Sequence, residues 1–228
     1  MERAFEAVHL MDVIDQAERY NRHILEQALA FAGPSRTVLD FGAGRGRLAT
    51  GLRAHGFDVT CVEPDPGLRQ RLATDGFSSF GALSELGDRR FDYAVSVNVL
   101  EHCPDDGEVA RELHARVVSG GRCLIYVPAF QVLWSANDTL VGHQRRYGRD
   151  ALSKLFEGAG FAALDVRYVD SLGFVAALAY RWIGRRDGEI SARSVRAYDR
   201  LVFPASRLLD RVLHRVAGKN LLLRATRP

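Results

Sequence analysis

The sequence lacks any long apolar run. Its longest nearly apolar stretch, Gly173 to Tyr180, is far shorter than the ~20 residues that a membrane-spanning helix needs. The first residues also lack the positive-then-apolar pattern of a secretory signal. The three cysteines are widely separated and form no CxxC pair, so the spacing indicates neither a disulfide framework nor a zinc site. We therefore expect no metal, and a chain that works in the reducing cytoplasm.

Internal repeats, low-complexity tracts and a clear interdomain linker are absent from the sequence as well. The 228 residues are 47% hydrophobic and 26% charged, which is ordinary for a globular protein and excludes a disordered or collagen-like chain. This length can bury a core without disulfides. We expect a single domain over residues 1–228.

Charge of one sign is concentrated near the end of the chain. Residues 171–228 hold 12 basic and 4 acidic residues, whereas the whole chain carries a net charge of only +3. The remainder is therefore acidic, with a net charge of −5. This asymmetry indicates either an anionic partner or a solvated helix face, and we favour the solvated face.

Strand and helix patterns alternate along most of the chain. Apolar residues at helical spacing predict a first helix over 10–32, which Gly33-Pro34 ends. Strands are predicted at 37–41, 58–63, 77–80, 91–97, 122–127, 163–169 and 220–226. Further helices are predicted at 48–55, 68–74, 108–118, 149–159, 172–184 and 191–216. This alternation predicts an α/β fold with a doubly wound, mostly parallel sheet, whose ligands bind at the carboxyl ends of the strands.

A glycine-rich segment, Asp40-Phe41-Gly42-Ala43-Gly44-Arg45-Gly46, follows the first predicted strand and opens a helix. A dinucleotide loop of the GxGxxG type would need a glycine at position 47, where this chain has Arg47. The Asp40 carboxylate would repel a pyrophosphate and attract an ammonium group. The loop therefore favours a cationic ligand over a dinucleotide.

Glu63 ends the second predicted strand, 23 residues after Asp40. A carboxylate at that position can accept hydrogen bonds from the hydroxyls of a ribose. A ribose and an amino group without phosphate describe S-adenosylmethionine. The alternative is a glycine-rich turn with an unrelated surface glutamate.

The sequence resembles the class I S-adenosylmethionine-dependent methyltransferases. The segments that carry the resemblance are 38–46, Glu63, Asn98-Val99-Leu100-Glu101-His102 and Gly120-Gly121. It is also similar to one bacterial subgroup, through Tyr20-Asn21-Arg22, Gly142-His143-Gln144-Arg145-Arg146-Tyr147 and Gly218-Lys219-Asn220-Leu221. The resemblance covers nearly the whole chain and is most specific over residues 38–147.

The resemblance implies a Rossmann-like sheet of seven strands, with the last strand antiparallel and inserted beside the fifth. It implies S-adenosylmethionine as cofactor and S-adenosylhomocysteine as product. It assigns the methionine half to Gly42, Gly44 and Gly46, with Tyr20 closing over its carboxylate, and the ribose to Glu63. Ala82 and Leu83 would border the adenine, and Asn98, Val99 and Leu100 would form the floor of the pocket.

Two histidines are candidates for a general base. An oxygen or nitrogen acceptor must lose a proton, and histidine suits that role near neutral pH. His102 follows the fourth predicted strand and His143 lies in a predicted loop over 129–148. The alternatives are that His102 caps the following helix and that His143 fixes the loop to the sheet.

The segment 129–148 also holds the candidate substrate-binding residues Phe130, Trp134, His143, Arg145, Arg146 and Tyr147. Phe130 and Trp134 can line an apolar part of the substrate or belong to the core. The two arginines can bind an anionic acceptor. Alternatively, at least one of them pairs with Asp138, Asp150 or Asp170.

Residues 171–217 are predicted to form a helical cap before the last strand. Leu201, Ala205, Leu208 and Val212 recur at helical spacing, beside a separate row of arginines. Pro204 should kink or divide the helix. The segment could be a substrate lid, a dimer face, a membrane-surface helix or a buried cap, and we favour the buried cap.

The sequence therefore predicts a methyltransferase that acts on an oxygen or nitrogen atom of a small molecule (a natural product, a sugar or a lipid-linked acceptor), which the arginines suggest is anionic. The alternatives are a cofactor-binding protein without methyl transfer and a peripheral membrane enzyme at the inner membrane face. The chain has no Asn-Pro-Pro-Tyr-type motif, so we expect no nucleic-acid partner. We expect a monomer or a homodimer.

Overall fold

Seven strands form one sheet in the computed structural model, which describes residues 16–183 and 191–228. The strands are β1 (Thr37–Phe41), β2 (Asp58–Val62), β3 (Ser78–Phe80), β4 (Phe91–Val97), β5 (Val117–Pro128), β6 (Ala162–Val169) and β7 (Asn220–Thr226). Their order across the sheet is β3-β2-β1-β4-β5-β7-β6. Neighbours from β3 to β5 are parallel, and the antiparallel β7 lies between β5 and β6. The predicted fold class and the insertion of the last strand beside the fifth are confirmed.

The helices follow the predicted alternation. They are α1 (Glu18–Ala32), α2 (Arg47–Ala54), α3 (Pro66–Thr74), α4 (Asp106–Arg116), α5 (Ala136–Leu140), α6 (Arg149–Gly158), α7 (Ser171–Ile183), α8 (Ala192–Ala197) and α9 (Phe203–Leu213). Positions 10–15 of the first predicted helix and position 184 of the sixth lie outside the described residues. Within the described part, α1 begins at Glu18.

Local capping explains where two of these helices begin. The Asp65 carboxylate accepts a hydrogen bond from the Leu68 amide at 2.8 Å, and Pro66 follows it at the first turn of α3. The Asp105 carboxylate accepts from the Glu108 amide at 2.7 Å. Such caps satisfy amides that have no partner inside the helix. The cap of α4 is therefore Asp105, and the alternative that His102 caps this helix is wrong.

The core follows the central strands. Leu39 of β1, Val95 of β4 and Ile125 of β5 are fully buried, and the residues next to them in each strand are buried as well. Parallel strands that are covered on both faces bury successive residues in this way, because neither face meets water. The buried Tyr93 hydroxyl donates to the Ala28 carbonyl at 3.2 Å, which satisfies the polar end of its ring.

The chain divides into two compact units, each assembled from three segments. The first unit comprises the residues up to Ile24, Val127–Arg149 and Arg167–Leu222. The second unit comprises Leu25–Tyr126, Asp150–Val166 and Leu223–Pro228. The glycine-rich segment and Glu63 belong to the second unit, whereas the segment 129–148 and helices α7 to α9 belong to the first.

The segment 129–148 is more ordered than a loop. It contains a 3₁₀ turn, Gln131–Leu133, and the short helix α5. The Asp138 carboxylate accepts from the Ser135 amide at 2.8 Å and from the Ser135 hydroxyl at 3.0 Å. This contact between the residue before the helix and a residue of its first turn stabilises the start of α5, which the prediction of a plain loop overlooked.

The predicted helix over 191–216 is present from Ala192 to Leu213, but it is irregular. Helix α8 passes into a π-helical turn, Tyr198–Val202, and Pro204 lies in the first turn of α9. Proline has no amide hydrogen and its ring crowds the carbonyl four residues earlier, so the regular ladder widens just before it. The helix is therefore irregular just before Pro204 and is not divided there, because the backbone stays helical from Ala192 to Leu213.

The preferred interpretation of this segment as a buried cap is wrong for its apolar row. Leu201 and Val212 are 77% and 76% exposed, and Leu208 is exposed as well. The buried face of α9 consists instead of Phe203 and Ser206. The helical spacing correctly gathered the apolar residues into one row, but it could not show that a different face packs inward.

Candidate active site

The glycine-rich segment turns sharply between β1 and α2. The Gly42 and Ala43 amides donate to the Val62 carbonyl at 2.8 and 3.1 Å, which joins the end of β1 to the end of β2. Gly42 has a φ of 78°, and a Cβ placed on it would overlap the Val99 side chain. This position therefore requires glycine both for its backbone conformation and for its close approach to Val99.

Gly44 differs from Gly42 in what surrounds it. Its φ is 54°, and a Cβ built on it would meet no atom within 4 Å in the described part of the chain. The backbone is thus exposed on that side and open to a ligand. Gly46, with a φ of 76°, directly precedes α2.

Asp40 is buried at the carboxyl end of β1, only 2% exposed. Among the described residues its Oδ2 atom has no hydrogen-bond partner. Burial first, and then the negative charge of Glu63, raise the pKa of Asp40 to about 7 against the opposing effect of the Ala49 amide. A buried carboxylate oxygen without a partner is costly, and a cationic ligand would relieve this cost.

Glu63 follows β2 and is 7% exposed. Its Oε2 accepts from the Gly44 amide at 2.8 Å, and its Oε1 accepts from the Asp65 amide at 3.0 Å. Each carboxylate oxygen has two lone pairs, so each can accept a further hydrogen bond from a ligand hydroxyl. The carboxylate is thus held in place by the same loop that carries the glycines.

The remaining predicted cofactor residues of the second unit lie in two short turns. Asn98 has a φ of 54°, which is uncommon for a residue other than glycine, and its amide donates to the Tyr126 carbonyl at 2.8 Å. Val99 contacts the position of Gly42, and Leu100 is fully buried. Ala82 is exposed and Leu83 is buried at the turn after β3.

Tyr20 lies in the first turn of α1, in the first unit. Its amide donates to Asp199 Oδ1 at 2.8 Å, and the Arg19 amide donates to Asp199 Oδ2 at 3.0 Å. The Tyr20 ring contacts Phe203 edge-on, with 5.5 Å between ring centroids. The buried Asp199 therefore caps α1 from a distant part of the sequence, which no local pattern predicted.

A buried carboxylate organises the segment 129–148. Asp138 accepts from His143 Nδ1 at 2.8 Å and from Arg146 Nε and Nη2 at 2.8 and 3.0 Å. Burial acts to raise the pKa of Asp138, but the hydrogen bonds from His143 and Arg146 outweigh it and hold the pKa below its ordinary value. Arg146 thus pairs with Asp138, one of the partners considered for it.

The other predicted substrate residues of this segment differ in exposure. Tyr147 is buried, and its amide donates to the Pro128 carbonyl at 2.9 Å. Phe130 is half-buried, with a φ of 57°, and its ring stacks on Tyr168 with 4.7 Å between centroids. Trp134 and Arg145 are half-buried.

The structure adds to what the sequence indicated about His102 and Asp138. The His102 side chain is exposed in the second unit, in a 3₁₀ turn that begins at Leu100. The sequence indicated Asp138 only as an ion-pair partner for an arginine and not as a site residue. The spacing of Ser135 and Asp138 is typical of a helix start, but the sequence does not show that the Asp138 carboxylate is buried beside His143.

Comparison with known proteins agrees with this geometry. The methyltransferase domain family matches residues 13–166. A malonyl-[acyl-carrier protein] O-methyltransferase of Pseudescherichia vulneris is 28% identical over 151 residues, which is 61% of this chain and 59% of that protein. The chain spans 36% to 59% of the length of the first curated relatives that it matches.

Solved structures share the fold at low sequence identity. An S-adenosylmethionine-dependent methyltransferase of Thermotoga maritima superposes with a TM-score of 0.65 at 16% identity, over 96% of this chain and 95% of that one. Phosphoethanolamine N-methyltransferase 2 of Haemonchus contortus, solved with S-adenosylmethionine, gives a TM-score of 0.59 at 18% identity, over 89% of this chain and 52% of that one. The family match therefore shows that the chain belongs to the methyltransferase domain family, and the strand order and the superpositions show that it has the fold of these solved methyltransferases.

Proposed function

We propose that this protein transfers a methyl group from S-adenosylmethionine to an oxygen or nitrogen atom of a small anionic acceptor. The observation that carries the proposal is the buried Asp40 oxygen that has no hydrogen-bond partner among the described residues. It lies just before the turn with the open backbone of Gly44, whose amide donates to the Glu63 carboxylate. An ammonium group suits the Asp40 oxygen, and two ribose hydroxyls suit the Glu63 carboxylate.

The residues of the second unit fit this cofactor. Asp40 would hold the amino group, and the backbone at Gly42, Gly44 and Gly46 would lie along the methionine part. Glu63 would accept from the ribose hydroxyls, while Ala82 and Leu83 would border the adenine and Asn98, Val99 and Leu100 would support the floor. When bound, the cofactor supplies a methyl group that is already activated on its sulfonium, so the protein mainly aligns donor and acceptor.

In the first unit, His143 is the proposed general base. Its Nδ1 lies 2.8 Å from the Asp138 carboxylate, so donation from Nδ1 assigns the basic lone pair to Nε2. This nitrogen would take the proton that an oxygen or nitrogen acceptor loses as it gains the methyl group. Asp138 acts as a positioning residue that fixes the tautomer. Tyr20 and His102 remain predicted contributors on the cofactor and acceptor sides.

Two observations support an anionic acceptor. Arg146 pairs with Asp138, and the half-buried Arg145 beside it in the motif is the cation that we propose for the acceptor, together with Phe130, Trp134 and Tyr147 of the same segment. The relatives named above methylate a malonyl-[acyl-carrier protein] and phosphoethanolamine, which both carry acidic groups. We therefore infer an acceptor with a carboxylate or phosphate near the methylated atom.

Methyl transfer from labelled cofactor to a panel of carboxylate and phosphate-bearing acceptors tests this function. We expect label in at least one acceptor and an equal amount of S-adenosylhomocysteine. Binding of both cofactor forms without transfer to any acceptor would favour a cofactor-binding protein without methyl transfer. If calorimetry on folded protein detects binding of neither form, the proposed cofactor site is wrong.

A further inference from the structure

A row of exposed apolar side chains runs along α9 and continues past both of its ends. Leu201, Leu208 and Val212 occur at helical spacing, and Val216 lies one turn further on. Val216 is 67% exposed, and Leu208 is 61% exposed. Helix α9 is already packed through its opposite face, where Phe203 and Ser206 are fully buried. The apolar row is therefore a second face, which we call the outer face of α9.

Arginines lie next to this apolar row. Arg207, Arg211 and Arg215 follow one another at four-residue intervals and are all exposed. Because successive residues of an α-helix are about 100° apart, Leu208 lies within about 60° of Arg211 and about 20° of Arg215 around the axis. The outer face therefore has an apolar strip with a basic border.

The acidic residues of this region point inward. Asp199 and Asp210 are the two acids between positions 191 and 216, against six arginines. Asp199 accepts from the Arg19 and Tyr20 amides, and Asp210 accepts from the Asp170 and Ser171 amides at 2.8 Å each. All six arginines are exposed, so the charge that the segment presents to solvent is positive.

We propose that the outer face of α9 binds in the plane of a lipid bilayer whose surface carries anionic headgroups. An apolar strip with a basic border is the pattern of helices that lie at the boundary between headgroups and acyl chains. The leucine and valine side chains would enter the acyl region, and the arginines would contact lipid phosphates. No helix within residues 16–183 and 191–228 is long and apolar enough to cross a membrane.

A second copy of the chain fits this face less well. In a twofold dimer the same patch meets itself, so the arginine border of one protomer would approach that of its partner. These like charges would repel each other across the dimer contact. An anionic bilayer instead complements both the apolar strip and its border.

Co-sedimentation of the full chain with vesicles tests the proposal. We expect binding to vesicles of phosphatidylcholine mixed with phosphatidylglycerol, weaker binding to phosphatidylcholine alone, and a loss of binding as salt is added. Leu208→Gln with Val212→Gln should lower the partition coefficient about tenfold or more, because these side chains lose their transfer into the acyl region. Arg207→Gln, Arg211→Gln and Arg215→Gln together should lower it about a hundredfold at low salt.

The matched control carries Arg71→Gln, Arg111→Gln and Lys154→Gln, three exposed cations on α3, α4 and α6. It removes the same charge and should bind vesicles about as well as the unmodified chain. Circular dichroism confirms that each variant is folded, and no turnover is needed, so the result is independent of the proposed reaction.

Three outcomes would overturn the proposal. The first is no binding to anionic vesicles by the unmodified chain. The second is an unchanged partition coefficient in the leucine and valine variant, which would mean general electrostatic attraction. The third is a dimer in sedimentation velocity that the same variant converts to a monomer, which would make the outer face a contact between copies.

Discussion

At the residue scale, the Asp40 carboxylate of the second unit lies in an electrostatically unfavourable environment. Its carboxylate is buried, lacks a partner on one oxygen among the described residues, and lies within the influence of Glu63. Proteins usually pair such groups, and unpaired ones are common where a ligand binds. The Asp40 carboxylate is therefore a group whose ionisation and ligand binding should be coupled.

The pKa of Asp40, raised to about 7 by burial, predicts how stability depends on pH. The folded protein holds this proton more tightly than the unfolded chain, so the contribution of Asp40 to stability is complete below pH ~4 and is lost as the pH rises through about 7. Asp40→Asn should remove this loss and gain up to about 4 kcal/mol over the unmodified chain between pH 5 and 8. Urea unfolding without cofactor measures it, and the exposed Asp58→Asn is the control.

Glu63 should contribute directly to cofactor affinity. Glu63→Ala removes the carboxylate that is held by the Gly44 and Asp65 amides, and binding should weaken by ~1.5–3 kcal/mol per lost charged hydrogen bond. Calorimetry with S-adenosylhomocysteine measures the loss, and Glu63→Gln, which keeps an acceptor for one amide, should lose less. The exposed Glu108→Ala is the control. An unchanged affinity would place the ribose elsewhere.

His143 should affect turnover more than cofactor binding. His143→Gln removes the proposed base, so kcat should fall ~10²–10⁴-fold while the affinity for S-adenosylhomocysteine stays within a few fold. The exposed His55→Gln provides a matched control in the second unit. If cofactor affinity collapses together with turnover, His143 has a structural role and the base assignment is wrong.

At the element scale, the segment 129–148 depends on one carboxylate. Asp138 receives the Arg146 guanidinium through two hydrogen bonds, and the two side chains are 0% and 8% exposed. The Arg146 Nη1 also donates to the Ala129 carbonyl at 3.2 Å. The arginine motif therefore ties α5 to the backbone just after β5.

Removal of one partner of this ion pair should be costly. Asp138→Ala leaves the Arg146 charge buried, and the free energy of unfolding should fall by ~3–5 kcal/mol. Adding Arg146→Met to the same chain should recover part of that loss, because no uncompensated charge remains. Urea denaturation of both variants measures the difference. Equal stability of the single and double variants would show that the uncompensated Arg146 charge is not the source of the loss.

At the scale of the whole molecule, charge is separated along the chain. Residues 171–228 carry a net charge of +8 and the remainder carries −5. The exposed arginines of α9 account for part of this difference. Such a patch can act on an acceptor in solution or on a surface, and the two roles differ in their kinetics.

We expect substitution of the arginines that border the outer face of α9 to leave methyl transfer in solution unchanged. Arg207→Gln, Arg211→Gln and Arg215→Gln together should keep kcat/KM for a water-dispersed acceptor within about twofold, with the same salt dependence. Initial rates over a range of salt concentrations measure this. A fall in kcat/KM with a flatter salt dependence would instead show that the arginines attract the acceptor.

The alternation of apolar strands and helices was enough to predict a doubly wound, mostly parallel sheet, and the spacing from Asp40 to Glu63 indicated the kind of ligand. The place of the last strand and the family were predicted from the resemblance of the motifs to those of known methyltransferases. The alternation and the motifs are local or depend on regular periodicity, so they can be read from the chain itself. The boundaries of β1, β4 and β7 in the structure coincide with those predicted. The sharp turn after β1 was predictable from Gly42, Gly44 and Gly46, because only glycine readily adopts the positive φ that this turn needs.

Only the tertiary structure decided which side chains are buried together. Asp138 joins His143 and Arg146, Asp199 caps α1 from 180 residues away, and the apolar row of α9 faces solvent. Each of these facts depends on which face of an element meets another element distant in sequence. Periodicity gives the composition of a face, but its burial is settled by the free energy of packing against partners that the local sequence does not specify.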